Sequence, residues 1–467
     1  MMNIPSSIKP FLYGHILFIL FALSACAITE KIPEIQNQES THSTNAINEP
    51  ILLEKFPAPK DYDKAYSYRT NSPNQTIVSF INNSQNDSLR LQNPELYIQS
   101  LVSLIDSTKD VFEKVKMVYD AVALLLEYDT EGRASQNIGS QDWDNILISR
   151  KSVCEGYANL FKQICDLLKI PCEKVHGYAR GVYKTSLDEK TSHNHAWNIV
   201  KIQDYWYIVD CTWGSGALNQ NGVQHIYNTD WLFVKSNHFI YTHFPADSNH
   251  QLTQQKISLE EFKKTPRLDP AFFEKYSLDS PFFSVNNIDS AYTISLKKNL
   301  NANAKIIFYD YESGSEIKEH SISKQNPEKL STTFHAPAPG LYLGVILYNV
   351  KDSLYNGCGY FLLNAHKASS TIYPTPMRSS AQNIEIISPL KELRPDSTYT
   401  FTVKVPNKKY VLLFCNGKKN RLKQIEKGVF SKQVKIPKNA EDIYMSVSNE
   451  EYGSYEAIAK FKIKKQP

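Results

Sequence analysis

The sequence predicts an α+β core followed by two all-β sandwich domains. Three observations carry this: apolar residues at helical spacing between about 94 and 168, a change to alternating patterns after Pro171, and short strand-like runs beyond about 283. At 467 residues the chain is too long for one ordinary core, which favours about three domains. The composition is globular, with 42% hydrophobic and 21% charged residues. Its 52 basic and 48 acidic residues leave a net charge of +4. That is too weak for a nucleic-acid binder, and no dense Lys/Arg cluster interleaves with aromatics.

The N-terminus carries one charge, Lys9, before an apolar run from Phe11 to Leu23. The run suits a secretory segment and is too short to span a bilayer. It ends in Leu23-Ser24-Ala25-Cys26, which resembles the lipobox of bacterial lipoproteins. Small residues at 24 and 25 fit a signal peptidase pocket, and Cys26 would supply the thiol for lipid attachment. The expectation is a signal peptide over 1–25 and export to the cell envelope, with a lipid anchor on Cys26. Residues 26–61 are polar and aperiodic and read as a flexible tether. Setting Cys26 aside, six of the seven cysteines remain; if Cys154 stays a free thiol, five cannot all pair internally, which argues against a disulfide framework.

The first folded domain is placed at 62–268. Helices are expected over 94–106 and 109–127, where Phe112, Val115, Val118, Tyr119, Val122, Leu125 and Leu126 recur at threes and fours. Asp142 is placed to cap a short helix through Ile148. The next helix starts near Cys154, with Tyr157, Leu160, Phe161, Ile164 and Leu168 on one stripe. A Phe, Pro and Asp-rich passage near 265–283 marks a boundary. Strands are then expected at Tyr292–Leu296, Lys305–Tyr309, Leu341–Tyr348 and Gly359–Leu363. After Tyr373-Pro374-Thr375-Pro376 they resume at Tyr399–Val405, Tyr410–Phe414, Ile443–Val447 and Ala457–Ile463. The sandwiches are assigned to 269–370 and 371–467.

Three segments carry chemistry. Ser152-Val153-Cys154-Glu155-Gly156-Tyr157-Ala158 sets a Cys at a helix start, where the dipole and unpaired N–H groups favour a thiolate. Asn194-His195-Ala196-Trp197-Asn198 opens a strand to Ile202, and Trp206 through Trp213 forms another. Gln203-Asp204 suit a two-residue turn, with Asp supplying a positive φ. Ile202 then faces Tyr205, Asp210 faces Trp197 and His195 faces Thr212, so His195 and Asp210 share a face. Each residue alone has a bland reading as a core thiol, a satisfied core histidine or a turn carboxylate. An Asp within a run of Trp, Tyr, Ile and Val, however, requires a partner. Together the three match the nucleophile, base and orienting carboxylate of a triad.

These segments resemble the transglutaminase-like superfamily, in which Cys, His and Asp follow in that order, and within it the kyphoscoliosis peptidase and hillarin branch. The likeness rests on Val118-Tyr119-Asp120 with Tyr128-Asp129, on Val153 through Ala158, on His195 through Asn198, and on Asp210-Cys211-Thr212-Trp213-Gly214-Ser215-Gly216. His243-Phe244-Pro245 with Asp247 and Gln251-Leu252 resembles the segment that closes the domain in that branch. Ser152 and His250 depart from it, standing where Gly or Ala and Trp are common. The resemblance implies a papain-like α+β core, with Ig-like sandwiches after it. It also implies a cysteine enzyme acting on amide bonds of a peptide or protein, through Cys154, His195 and Asp210. Hydrolysis is favoured over transfer to an amine. Gln141 matches a Gln of bacterial relatives whose amide could donate to an oxyanion together with the Cys154 N–H. His193 lies two residues from His195, but no second pair of ligands has zinc-like spacing, so no metal and no cofactor are expected. The rival readings are a non-catalytic surface scaffold or adhesin, with envelope proteins as partners of the sandwiches, and a wall-remodelling enzyme, for which no wall-binding module is recognisable.

Overall fold

The computed structural model describes residues 62–181, 193–219, 222–224, 226–299, 304–351, 354–377 and 384–464. The signal segment, Cys26 and the tether lie outside the described residues.

Three short helices, Tyr62–Ser67, Gln75–Ile81 and Ser84–Gln92, precede the first expected one. At 6, 7 and 9 residues they are too short to show a helical period, but Asn74, Asn83 and Asn93 act as N-caps for the helices that follow each of them. Helices α1 (Pro94–Asp106) and α2 (Val111–Leu125) then agree with the apolar spacing. Buried Lys116 and Asp120 pair on α2, and Asp120 also accepts from Asn74 N at 2.7 Å, tying the leading helices to the core. Helix α3 (Cys154–Leu167) turns Tyr157, Leu160, Phe161 and Ile164 inward against Val118, Val122, Val200 and Ile202.

The central sheet is antiparallel and five-stranded. Its strands are β1 (Cys172–Ala179), β2 (His195–Ile202), β3 (Tyr205–Val209), β4 (Leu232–Val234) and β5 (His243–Pro245), in the order β4-β3-β2-β1-β5. Period-two alternation divides its faces. Val200, Ile202, Tyr207 and Val209 meet the helices, while Val175, Trp197, Ile199 and Ile208 pack with Trp231 and Phe239 on the other side. The hairpin register is the expected one, with Ile202 opposite Tyr205 and Asn198 opposite Val209. Gln203 rather than Asp204 takes the positive φ, at 56°.

That register does not continue. β3 stops at Val209, and Cys211–Ser215 forms a short helix, α4, capped by Asp210. The expected strand through Trp213 is therefore corrected. Asp210 Oδ1 accepts the Trp213 N–H at 3.1 Å, a local bond that competes with the ladder and turns the chain into a helix.

Beyond the core each β-rich unit is built from two sheets. In the first, strands 304–310, 340–351 and 354–365 face strands 276–278, 291–298, 321–325 and 329–335 across one core. In the second, 410–415, 443–448 and 456–461 face 385–388, 398–404, 423–426 and 429–435. The passage expected as a boundary is itself structured. Arg267–Leu268 pairs with Gly359 and Tyr360 of the first sandwich, and Pro270–Lys275 is helical. Tyr241, Phe262 and Leu268 share a core with Phe308, Phe334 and Phe361, so the first sandwich is packed onto the α+β unit. Thr375–Pro376, expected as a break, pairs with the second sandwich.

Candidate active site

Cys154 is the first residue of α3, and the N-cap residue Val153 has no side chain able to cap. The positive end of the helix dipole is thus left facing the thiol. The entry to α3 is braced by Gln141, whose Oε1 accepts Val153 N at 3.1 Å and the Ser152 hydroxyl at 2.9 Å. Gly156 permits that approach, because a Cβ there would lie 2.1 Å from Ser152 Oγ. The Gln141 amide donates to Gly139 O at 2.9 Å. One of the two amide N–H groups is thus engaged by a nearby loop carbonyl, and through its Oε1 Gln141 positions the turn before Cys154.

His195 opens β2, and its Nε2 lies 2.8 Å from Asp210 Oδ2. The other ring nitrogen is left for Cys154, whose thiol lies close enough to His195 and the Ala196 N–H for both to act on its charge. His195 is 8% exposed, Cys154 7% and Asp210 0%, so the set is largely withdrawn from bulk water, with only Cys154 and His195 reaching the surface. The cap turn at Asp210 and the start of β2 thus bring together the three residues singled out from sequence.

Charges follow from these contacts. Burial raises the Cys154 thiol, but the bond and charge of His195 overcome this and hold it below its ordinary value. Burial opposes a charged His195, yet the Asp210 carboxylate outweighs it and raises the imidazole to about 10. Burial would raise Asp210, and His195 instead holds it well below the carboxylate range. These opposing shifts favour a thiolate–imidazolium pair over the buried carboxylate.

Sequence reasoning missed one residue here. His243 on β5 is fully buried, with its Nε2 3.3 Å from Asp210 Oδ2. The only sequence signal was the His243-Phe244-Pro245 segment, read as a domain closure. His193, the histidine that spacing favoured beside His195, is exposed and meets Tyr178 edge-on. Donor atoms of His195, Asp210 and His243 lie within 4.8 Å of one another. The 2.8 Å contact is a hydrogen bond, shorter than the roughly 3.3 Å between donors around a tetrahedral zinc. Trp213, half-buried, lies 5.6 Å from the His195 ring and 4.4 Å from His243. The six described cysteines are free thiols.

Residues 99–211 match the family model for the transglutaminase-like superfamily. The chain carries a transglutaminase-like domain. It is 26% identical over 265 residues to mouse kyphoscoliosis peptidase, covering 56% of this chain and 39% of that protein. The human kyphoscoliosis peptidase is 30% identical over 187 residues, covering 39% and 28%. Drosophila melanogaster hillarin is 24% identical over 276 residues, covering 52% and 33%. The chain thus matches 28% to 39% of the length of these relatives. The matched family region holds Cys154, His195 and Asp210, while His243 lies beyond it.

Proposed function

We propose that this protein is a membrane-anchored cysteine enzyme that cleaves or transfers amide bonds of peptides or proteins. The observation that carries the reading is the buried series Cys154–His195–Asp210, with a thiol of lowered pKa at a helix start. The Cys154 thiolate attacks the amide carbonyl carbon, and the C=O π pair moves to oxygen. The backbone N–H of Cys154 faces that oxyanion at the positive end of α3. His195 then gives its proton to the leaving amine as the C–N bond breaks, leaving a thioester. Asp210 holds the imidazole in place throughout. Attack on the thioester by water, deprotonated by His195, returns the free enzyme and a carboxylic acid, whereas an amine gives a transamidated product. Hydrolysis is favoured by the likeness to two proteins named as peptidases and by the constant presence of water. The anchor is inferred from Leu23-Ser24-Ala25-Cys26.

The test is a mass-spectrometric trap of an acyl group on Cys154 with peptide and amine libraries. The expected result is an acyl adduct on the Cys154 peptide that decays in water. A protein that binds peptides through its sandwiches and forms no adduct would instead be the non-catalytic scaffold or adhesin.

A further inference from the structure

We propose that His243 is a positioning residue of this set: its Nε2–H holds the Asp210 carboxylate ionised and aimed at His195. The inference rests on reading Cys154, His195 and Asp210 as nucleophile, base and carboxylate.

The fold delivers His243 across β1, where Gly177 pairs with His195 on one side and with Pro245 on the other. Its ring is fixed by a parallel stack on Phe239 at 4.0 Å, with Trp213 at 4.4 Å and Trp197 at 5.2 Å. Nδ1 is 2.8 Å from Thr242 Oγ1, and Nε2 faces Asp210 Oδ2 at 3.3 Å without the alignment of a regular hydrogen bond. Proton accounting chooses the tautomer. The Thr242 hydroxyl has one proton and two acceptors in reach, His243 Nδ1 and the Phe239 carbonyl at 3.0 Å. That carbonyl already receives the Thr242 N–H. If the hydroxyl bonds the carbonyl, Nδ1 must donate, and a neutral ring then turns the Nε2 lone pair toward an anionic oxygen inside an apolar box. If the hydroxyl bonds Nδ1, Nε2–H meets the carboxylate. The second arrangement turns a donor toward the carboxylate at 3.3 Å, whereas the first opposes two acceptors in a low dielectric.

A neutral donor suits this place. An imidazolium at 243 would compete with His195 for the same oxygen, whereas burial holds His243 down to about 3. The ionisable groups facing the pair are His195 and Arg267 around His243, and Cys211, Tyr119 and Tyr128 around Asp210. Asp210 otherwise accepts from Trp213 N and His195, and a further donor helps a buried carboxylate stay charged.

The experiment follows the alkylation rate of Cys154 against pH in the full chain, a readout that needs no substrate. His243→Phe keeps the ring and removes the donor, so the acid limb should move up by about one pH unit. His243→Gln, which retains an N–H at similar reach, should stay near wild type, and His243→Phe should add less than about twofold in an Asp210→Asn background. Nitrogen-15 NMR of the unmutated protein should show the Nε2–H tautomer through pH 5–8. A wild-type limb that His243→Phe leaves in place, an equal shift in the Asp210→Asn background, or an Nδ1–H tautomer would overturn the inference. A wild-type profile like that of a free thiol would overturn the triad reading and this inference with it.

Discussion

Replacing Asp210 by Asn keeps the shape of a fully buried side chain and deletes its charge. In the native protein burial works against a charged His195, and the carboxylate 2.8 Å away overcomes it, raising the imidazole to about 10. Without the carboxylate burial still opposes the charge and only the smaller contribution of Cys154 supports it, so His195 should fall from about 10 back toward its ordinary value of 6.5. A full return to 6.5 would remove up to about 5 kcal/mol of preference for the imidazolium, at about 1.36 kcal/mol per pKa unit. The size agrees with the roughly 3–5 kcal/mol seen when one partner of a buried ion pair is removed. The thiolate loses its counter-ion at the same time. A free thiol is only about 0.3% thiolate at pH 6, so Cys154 labelling by iodoacetamide there should slow by up to about two orders of magnitude. Stability carries the same signature. The raised His195 contributes fully below about 6.5, and its contribution is lost as pH rises toward about 10; the lowered Asp210 contributes above about 4 and is lost in acid. Asp210→Asn should flatten melting temperature across that range. Labelling at pH 6 equal to wild type, with an unchanged pH–stability curve, would refute the reasoning.

Three further outcomes are expected. A Cβ on Gly214 would lie 1.7 Å from the Tyr119 hydroxyl, so Gly214→Ala should cost about 2–3 kcal/mol in denaturant unfolding. It should also lower activity, since α4 is capped by Asp210; an unchanged unfolding midpoint would contradict the packing. His243, held neutral down to about 3, binds no proton in the fold where the unfolded chain does, so stability should fall as pH drops from about 6.5 to 3. Asp269, raised to about 6 by burial, offsets part of this, and His243→Gln should lessen the fall in unfolding midpoint. Finally, Cys26→Ser should release the protein from membranes or stall its processing; a mature N-terminus at another, unmodified residue would exclude the lipid anchor.

The legible parts of the fold were those where burial writes a period into the sequence. α2 and α3 showed their apolar stripes, and the β2–β3 hairpin register followed from a two-residue turn. Strands such as 429–435 were not recognised, because their outward residues are Ser, Lys and Gln. The short helices Gln75–Ile81 and Ser84–Gln92 are hidden for the reverse reason: their signal lies in the Asn74 and Asn83 caps, not in a stripe. At the site, Cys154, His195 and Asp210 were legible from local context. His195 and Asp210 meet as expected, but through a helix cap in place of a continued strand. His243 was not legible, because only the β1–β5 pairing brings it to Asp210. Gln141 was found, but its partners are set by a loop carbonyl and a helix entry that spacing does not reveal.

The most direct measurement is amide turnover, on a peptide or glutamine substrate the wild type processes, by Cys154→Ala, His195→Ala and the double variant. If the residues act as one unit, Cys154→Ala abolishes turnover while the protein melts almost as wild type. His195→Ala should be nearly as severe, and the double variant hardly worse than either, because losing one member idles the others. Turnover that persists in Cys154→Ala would contradict the account and leave the binding scaffold as the better description.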